Sequence, residues 1–284
     1  MTRSTHLLSL LLAAAGLAAC QSAPVARSSA PETPPTTADA VGELRKGSGY
    51  LRGYLAREQL PDSLALLAPP PAAGSAQETA DLDTHRQTRA LRGSPRWQVA
   101  TQDVNLKFPQ AANVFSCALD LPISEQQTPH LTMLLRRTLA DAGLATYKAK
   151  DHYNRKRPFV TQNESTCAPQ EEASLAKDGS YPSGHAALGW AWGLVLASLD
   201  PARADALIQR GHAFGQSRVV CGVHWQSDVD AGRLVGAAAV ARLQADPVFQ
   251  AQAALAKSEL ASMRAQGQRS PRPDCAQETQ ALAR

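Results

Sequence analysis

Residues 179–199 read GSYPSGHAALGWAWGLVLASL. From Ala186 to Leu199 no side chain is charged, which predicts a helix buried on every face. It is too short for a permanent membrane span, which needs roughly 20 apolar residues. The seven residues before it form a turn shaped by Pro182 and Gly184, so the free N–H groups of the helix start face whatever sits there. A helix start attracts anions through its dipole and its unpaired donors. Ser183 adds a hydroxyl, Gly184 allows close backbone approach, and His185 stands beside any bound group as a proton donor. Taken alone, the turn reads equally as a Ser/Gly cap with an incidental histidine.

Working outward, helical periods run over Asp81–Leu91, Trp97–Leu106, Leu131–Ala145, Pro201–Phe214, Ser227–Leu243 and Phe249–Gln266. Asp200-Pro201 reads as an N-cap followed by proline at the first helical position. Leu51–Leu67 has helical spacing and ends at Pro69-Pro70-Pro71, which breaks any helix. No alternating strand pattern longer than a few residues occurs, and no repeat. The expected fold is all-α, a single compact domain over 41–284. The tail after Gln266 has no evident place in it.

The chain has 284 residues, 44% hydrophobic and 19% charged, enough apolar material for one sizeable core. Its net charge of +4 is too small and scattered for a nucleic-acid surface. Residues 1–19 combine a basic start, the apolar run Leu7–Ala15 and small residues, which is the pattern of a secretory signal. Leu17-Ala18-Ala19-Cys20 resembles a bacterial lipobox, in which Cys20 becomes the lipid-bearing N-terminus. Cleavage there leaves 265 residues and, with Arg3 gone, a charge of +3. Gln21 after the cysteine implies the outer membrane, by likeness to such lipoproteins. Residues 20–40, rich in Pro, Ala, Ser and Thr, read as a flexible linker from the lipid to the domain. Cys117, Cys167, Cys221 and Cys275 remain, an even number suited to two disulfides in an oxidising compartment, with three pairings open.

Two further clusters carry chemistry. Lys150-Asp-His-Tyr-Asn-Arg-Lys-Arg157-Pro158 places Lys150 and Arg157 seven apart, two turns along one helix face, so that both cations converge on one anion. A planar guanidinium fork and an ammonium point charge suit a phosphate-like group, although a basic run by itself is commonly a solvated face. Ser217-Arg218-Val-Val-Cys-Gly-Val-His224-Trp-Gln-Ser-Asp228 adds another cation and a His/Asp pair four apart. If that turn is helical, Asp228 accepts the Nδ1 hydrogen of His224 and leaves Nε2 nucleophilic. The same spacing also fits a structural hydrogen bond or half of a metal site.

The ordered series Lys150-x6-Arg157-Pro158, Pro182-Ser183-Gly184-His185 and Ser217-Arg218-x5-His224-x3-Asp228 resembles the three-part signature of the phosphatidic acid phosphatase type 2 and vanadium haloperoxidase superfamily. Within it, residues 179–185 and 215–228 look like bacterial class A non-specific acid phosphatases, a periplasmic group. The likeness runs from Leu51 to Lys257, including Phe115-Ser-Cys-Ala-Leu119 and the stretch from Leu134 to Gly143. Departures are the lipobox, Ala186 where the group often has threonine, and the tail.

The resemblance implies a helical-bundle acid phosphatase that hydrolyses small phosphate monoesters with broad specificity. His224 would attack phosphorus and form a phosphohistidine, Asp228 would orient its ring, and His185 would protonate the leaving alcohol. Lys150, Arg157, Ser183, Gly184 and Arg218 would bind the phosphoryl oxygens. No metal or other cofactor is expected, since no further His/Asp cluster suggests a two-metal site. The expected partners are the ester and, through the lipid alone, a membrane, with a homo-oligomer left open. His85, His130, His152 and His212 read as structural or exposed. Two histidines with opposite protonation demands predict an optimum below pH 7. The rivals are a vanadate-dependent haloperoxidase using the same pocket and a non-catalytic anion-binding envelope lipoprotein.

Overall fold

The computed structural model describes Met1 and residues 33–283. Apart from Met1, the expected signal segment, Cys20 and the expected linker as far as residue 32 lie outside the described residues. In the stretch after it, Pro34 is buried and Ala38–Val41 makes a single helical turn.

The described residues form helices and no named strand, with one isolated antiparallel bridge between Glu43 and Leu51. Helices of seven residues or more are α1 (Ala76–Arg89), α2 (Pro95–Gln102), α3 (Pro129–Leu144), α4 (Tyr147–Tyr153), α5 (Gly184–Leu199), α6 (Ala204–Cys221), α7 (Gln226–Leu243), α8 (Pro247–Ala265) and α9 (Cys275–Leu282). Local chemistry sets their starts: Ser75, Ser94, Ser183 and Asp246 each accept a backbone N–H from the first turn. Each such cap is worth about 1 kcal/mol.

Helix α5 is the axis of the bundle, packed against α6, α7 and α3. Trp192 at its centre is fully buried, meets Phe108, Phe115 and Phe214, and donates from Nε1 to Leu135 O at 2.9 Å. The α5–α6 pair approaches closely because Gly193 faces Gly211. A Cβ on Gly193 would lie 3.0 Å from the Leu207 carbonyl, and one on Gly211 2.8 Å from the Gly189 carbonyl. Bare backbones at this crossing let the two site-bearing helices sit against each other.

Three expectations are corrected. Leu51–Leu67 is not a helix; only Arg57–Gln59 and Ser63–Leu66 turn helically. The Tyr54 and Leu55 N–H groups go instead to the buried Asp141 carboxylate, at 2.9 and 3.1 Å, and Pro61 interrupts what remains. Asp200 does not cap a helix with its side chain, because its carboxylate takes Arg264; a 3₁₀ turn, Pro201–Arg203, leads into α6. That helix continues past Phe214 to Cys221, since Gly215 is a packing contact against Ala186 rather than a breaker, and it stops where Gly222 turns with φ +86°.

The cysteines pair as Cys117–Cys275 and Cys167–Cys221, across 158 and 54 residues. Loops of these lengths give about 4–5 kcal/mol each in the chain-entropy treatment. The first bond ties down the tail. Arg269 also pairs with Asp120, and Glu278 on α9 receives Arg210 and Arg272.

Candidate active site

Lys150, Arg157, Gly184, His185, Arg218 and His224 line one cavity of about 300 Å³, although they come from three separate stretches of chain. Ser183 and Asp228, both fully buried, adjoin it, Ser183 next to Gly184 in the chain and Asp228 beside His224.

Lys150 and Arg157 do converge, but not along a helix face. Helix α4 ends at Tyr153, Asn154 takes the left-handed conformation with φ 40°, and Arg157 sits in extended backbone before Pro158. The reversal folds Arg157 back onto the end of α4. Nζ of Lys150 donates to Gly179 O at 2.6 Å and lies 3.5 Å from Asp178, whose carboxylate also receives Arg157 Nη2 at 2.8 Å. The Arg157 fork donates further to the carbonyls of Leu175 and Val223. Burial pulls the Lys150 ammonium down to about 8, with Arg157 beside it adding to the effect.

Arg218 occupies the last turn of α6 and has no solvent exposure. None of its three guanidinium nitrogens meets a hydrogen-bond partner among the described residues. Burial, with Arg157 as a like charge nearby, lowers its pKa to about 10.

His224 lies just before α7 rather than in it. Trp225 is the N-cap, and Asp228, three residues on, reaches back so that Oδ2 accepts Trp225 N at 2.8 Å and faces His224 Nδ1 at 3.3 Å. The expected His/Asp contact therefore forms through an N-terminal capping arrangement. On the other edge, Arg157 Nη1 is 3.0 Å from Nε2. A guanidinium only donates and a carboxylate accepts, so the ring carries its hydrogen on Nδ1 and a lone pair on Nε2. Burial, then the charges of Arg157, Lys150 and Arg218, hold the His224 pKa well below the usual value.

His185 opens α5, stacks near Phe214 and faces Val104 O through Nε2 at 3.2 Å. With Nε2–H on that carbonyl, Nδ1 is the nitrogen able to exchange a proton. Its pKa too is held well below 6.5, by burial and then by Arg218. Both rings are enclosed with cations, which gives the two shifts their common direction. Ser183 acts first as a helix cap: its Oγ accepts Ala186 N at 3.3 Å, while its own N–H donates to Asp228 O at 2.9 Å and so joins α5 to the start of α7.

Sequence reasoning passed over two groups. Arg155, inside the basic run already singled out, donates to Asp228 Oδ1 at 2.6 Å, to Ser227 Oγ and to Asp81 on α1. Asp178, immediately before the Gly179 turn, holds Lys150 and Arg157 together. Of the histidines set aside, His85 is buried beside Glu164, His130 faces Gln252 and His152 is exposed. No group of three His, Cys, Asp or Glu side chains able to hold a metal occurs among the described residues. None of the described helices is long and apolar enough to cross a membrane.

The sequence profile of the PAP2 superfamily matches residues 131–247, which contain all three clusters. The chain is 46% identical over 212 residues to a non-specific acid phosphatase of Providencia stuartii, covering 74% of this chain and 86% of that protein. It is 45% identical over 204 residues to the non-specific acid phosphatase of Salmonella typhimurium, covering 72% and 82%. An acid phosphatase of Zymomonas mobilis is 42% identical over 203 residues, covering 72% and 77%. With most of each relative spanned at this identity, and the superfamily's three clusters gathered at one cavity, the chain belongs to the PAP2 superfamily and, within it, to the class A non-specific acid phosphatases.

Proposed function

We propose that the chain hydrolyses phosphate monoesters without a metal, through a phosphohistidine at His224 Nε2. The observation that carries this reading is Arg218. A guanidinium wholly removed from water with all three nitrogens unpartnered is costly, and an anion with several acceptor oxygens supplies what it lacks. Arg218 is therefore the main phosphoryl ligand, assisted by Lys150, Arg157, the Gly184 N–H and the Ser183 hydroxyl.

In the first step the Nε2 lone pair of His224 attacks phosphorus, the ester P–O bond breaks, and His185 passes its proton to the departing alkoxide. Asp228 accepts the Nδ1 hydrogen throughout and balances the ring as it becomes cationic. In the second step water attacks phosphorus, His185 takes its proton, the P–N bond breaks and phosphate leaves. The charge spread over the phosphoryl oxygens is met by side-chain cations, so no step calls for a metal ion.

The pH dependence follows from the two histidines. His224 must be neutral, and its lowered pKa keeps it so well below pH 6.5. His185 must carry a proton, and its lowered pKa places loss of that proton below 6.5 in the free enzyme. The kcat/KM profile is expected to peak on the acid side and to have fallen already by pH 6.5, in EDTA as well as without it. An optimum above pH 7, an EDTA-sensitive rate, or halide oxidation after vanadate loading in place of hydrolysis would each overturn the reading.

We further infer that Cys20 carries lipid and holds the enzyme at the outer membrane on the periplasmic side. The lipobox pattern supports this, as does a pair of disulfides suited to an oxidising compartment. Labelled fatty acid is expected to enter the full chain and to be absent from Cys20→Ser; equal labelling of both would refute it.

A further inference from the structure

The cavity that holds the phosphoryl cluster has a second wall of different chemistry. It is built by Leu44, Tyr50, Leu106, Leu144, Tyr147 and Leu175. Leu44, Leu144 and Tyr147 are 42%, 41% and 44% exposed, so large apolar side chains that a folded chain ordinarily covers stand together at this one mouth. No charged residue lines that wall; the charged groups of the cavity are Lys150, Arg157, Asp178 and Arg218, on the phosphoryl side.

Two elements hold four of these side chains. One is the corner where α3 ends at Leu144 and α4 begins at Tyr147. The other is a strap, residues 43–55, folded on itself by Leu44 N to Tyr50 O at 2.8 Å and Arg52 N to Gly42 O at 3.0 Å. The strap is fixed to α3. Asp141 accepts Tyr54 N and Leu55 N, Arg137 Nη2 donates to Gly53 O at 2.7 Å, and the Arg137 guanidinium lies 3.8 Å from the Tyr54 ring centroid. Gly53 is required there, since a Cβ would fall 1.9 Å from Asp141 Oδ1. Tyr50 is steadied from one side by the Lys107 ammonium, 4.0 Å from its ring centroid. The strap is thus a fixed support that presents an isobutyl group and a phenol ring to the cavity.

Resting on the phosphatase reading above, we propose that the strap and the α3–α4 corner form a leaving-group subsite for apolar, uncharged alcohols, so that aryl and alkyl monoesters are the favoured substrate class. The volume suits it. About 300 Å³, the lower end for ligand pockets, accommodates a phosphoryl group with one ring or a short alkyl chain. A polyhydroxylated alcohol gains little here, because its hydroxyls would lose water against leucine without new partners.

The test compares benzyl phosphate with glycerol 1-phosphate, whose leaving groups are both primary alkoxides, using the full chain. The kcat/KM ratio is expected to favour benzyl phosphate by about 10–100-fold, mostly through KM. In Leu44→Ser/Tyr50→Ser the benzyl arm is expected to lose about tenfold more than the glycerol arm. Equal losses in both arms, or no preference in the unaltered chain, would overturn the subsite. Should the double variant fail to fold, inhibition of the unaltered enzyme decides: benzylphosphonate is expected to compete about tenfold more tightly than methylphosphonate, and equal inhibition constants refute the proposal. Absence of hydrolysis of every ester would instead strike the phosphatase reading, while competition between the phosphonates for phosphate binding still reports on the subsite.

Discussion

His224→Ala is expected to bind inorganic phosphate and to turn over no ester, with kcat down by about 10³-fold or more. The substitution removes the Nε2 lone pair of a buried, oriented ring at the cationic cavity, while Arg218, Lys150, Arg157 and the start of α5 stay in place to hold the anion. Binding is read by calorimetry with phosphate, turnover by phosphate release, and the covalent intermediate by quenching with labelled substrate. The unaltered chain should yield an acid-labile, base-stable phosphoenzyme, and the variant none. Turnover surviving within tenfold would remove His224 from the nucleophile's role, whatever the binding result.

Replacing Arg155 with alanine is the second change with a large expected effect, although Arg155 lines no part of the cavity. Asp228 is fully buried, and burial pushes its carboxyl pKa upward, against the pull of Arg155 at 2.6 Å. Breaking a buried pair by removing one partner typically costs about 3–5 kcal/mol. Two acids lose their shared cation here, since Asp81 on α1 is bound by the same fork. Without it Asp228 takes up a proton more readily, His224 loses its Nδ1 acceptor, and the lone pair on Nε2 is no longer specified. The expected result is a lower denaturation midpoint, a kcat reduced by about 10²–10⁴ with KM little changed, and an acid limb of the rate profile moved to higher pH. Arg155→Lys should recover part of the stability and rate, because it returns the charge without the fork. A kcat that falls with no movement of the acid limb would mean that Arg155 serves packing alone.

Helix α5 was legible because its evidence is local: a capping serine, then an uncharged run with neither a proline nor a charge to break it. The three site clusters were legible as residue types for the same reason. Their local geometry was not. Spacing alone puts Lys150 and Arg157 on one helix, yet Asn154 in the left-handed region and Pro158 fold the chain so that the two cations meet across a reversal. His224 and Asp228 meet through a cap rather than a helical turn, a difference that spacing alone does not encode. The supporting groups were harder still. Asp81 binds Ser227 from 146 positions away, and nothing in a run of basic residues marks Arg155 as the one that turns toward Asp228. Asp141, at the end of an apolar helix pattern, gave no sign that it would take the N–H groups of Tyr54 and Leu55 and so dissolve an expected helix. The disulfide pairing was closed to sequence by arithmetic, because four cysteines permit three connectivities.

The strap is anchored on α3 through Asp141 and Arg137, whereas phosphorus chemistry resides on α4 to α7. Selection among alcohols and the breaking of the P–O bond are therefore separable units of one chain. Exchanging residues 43–55 for a different segment that keeps the Gly53 and Asp141 junction would retarget the enzyme while its reaction machinery is inherited intact.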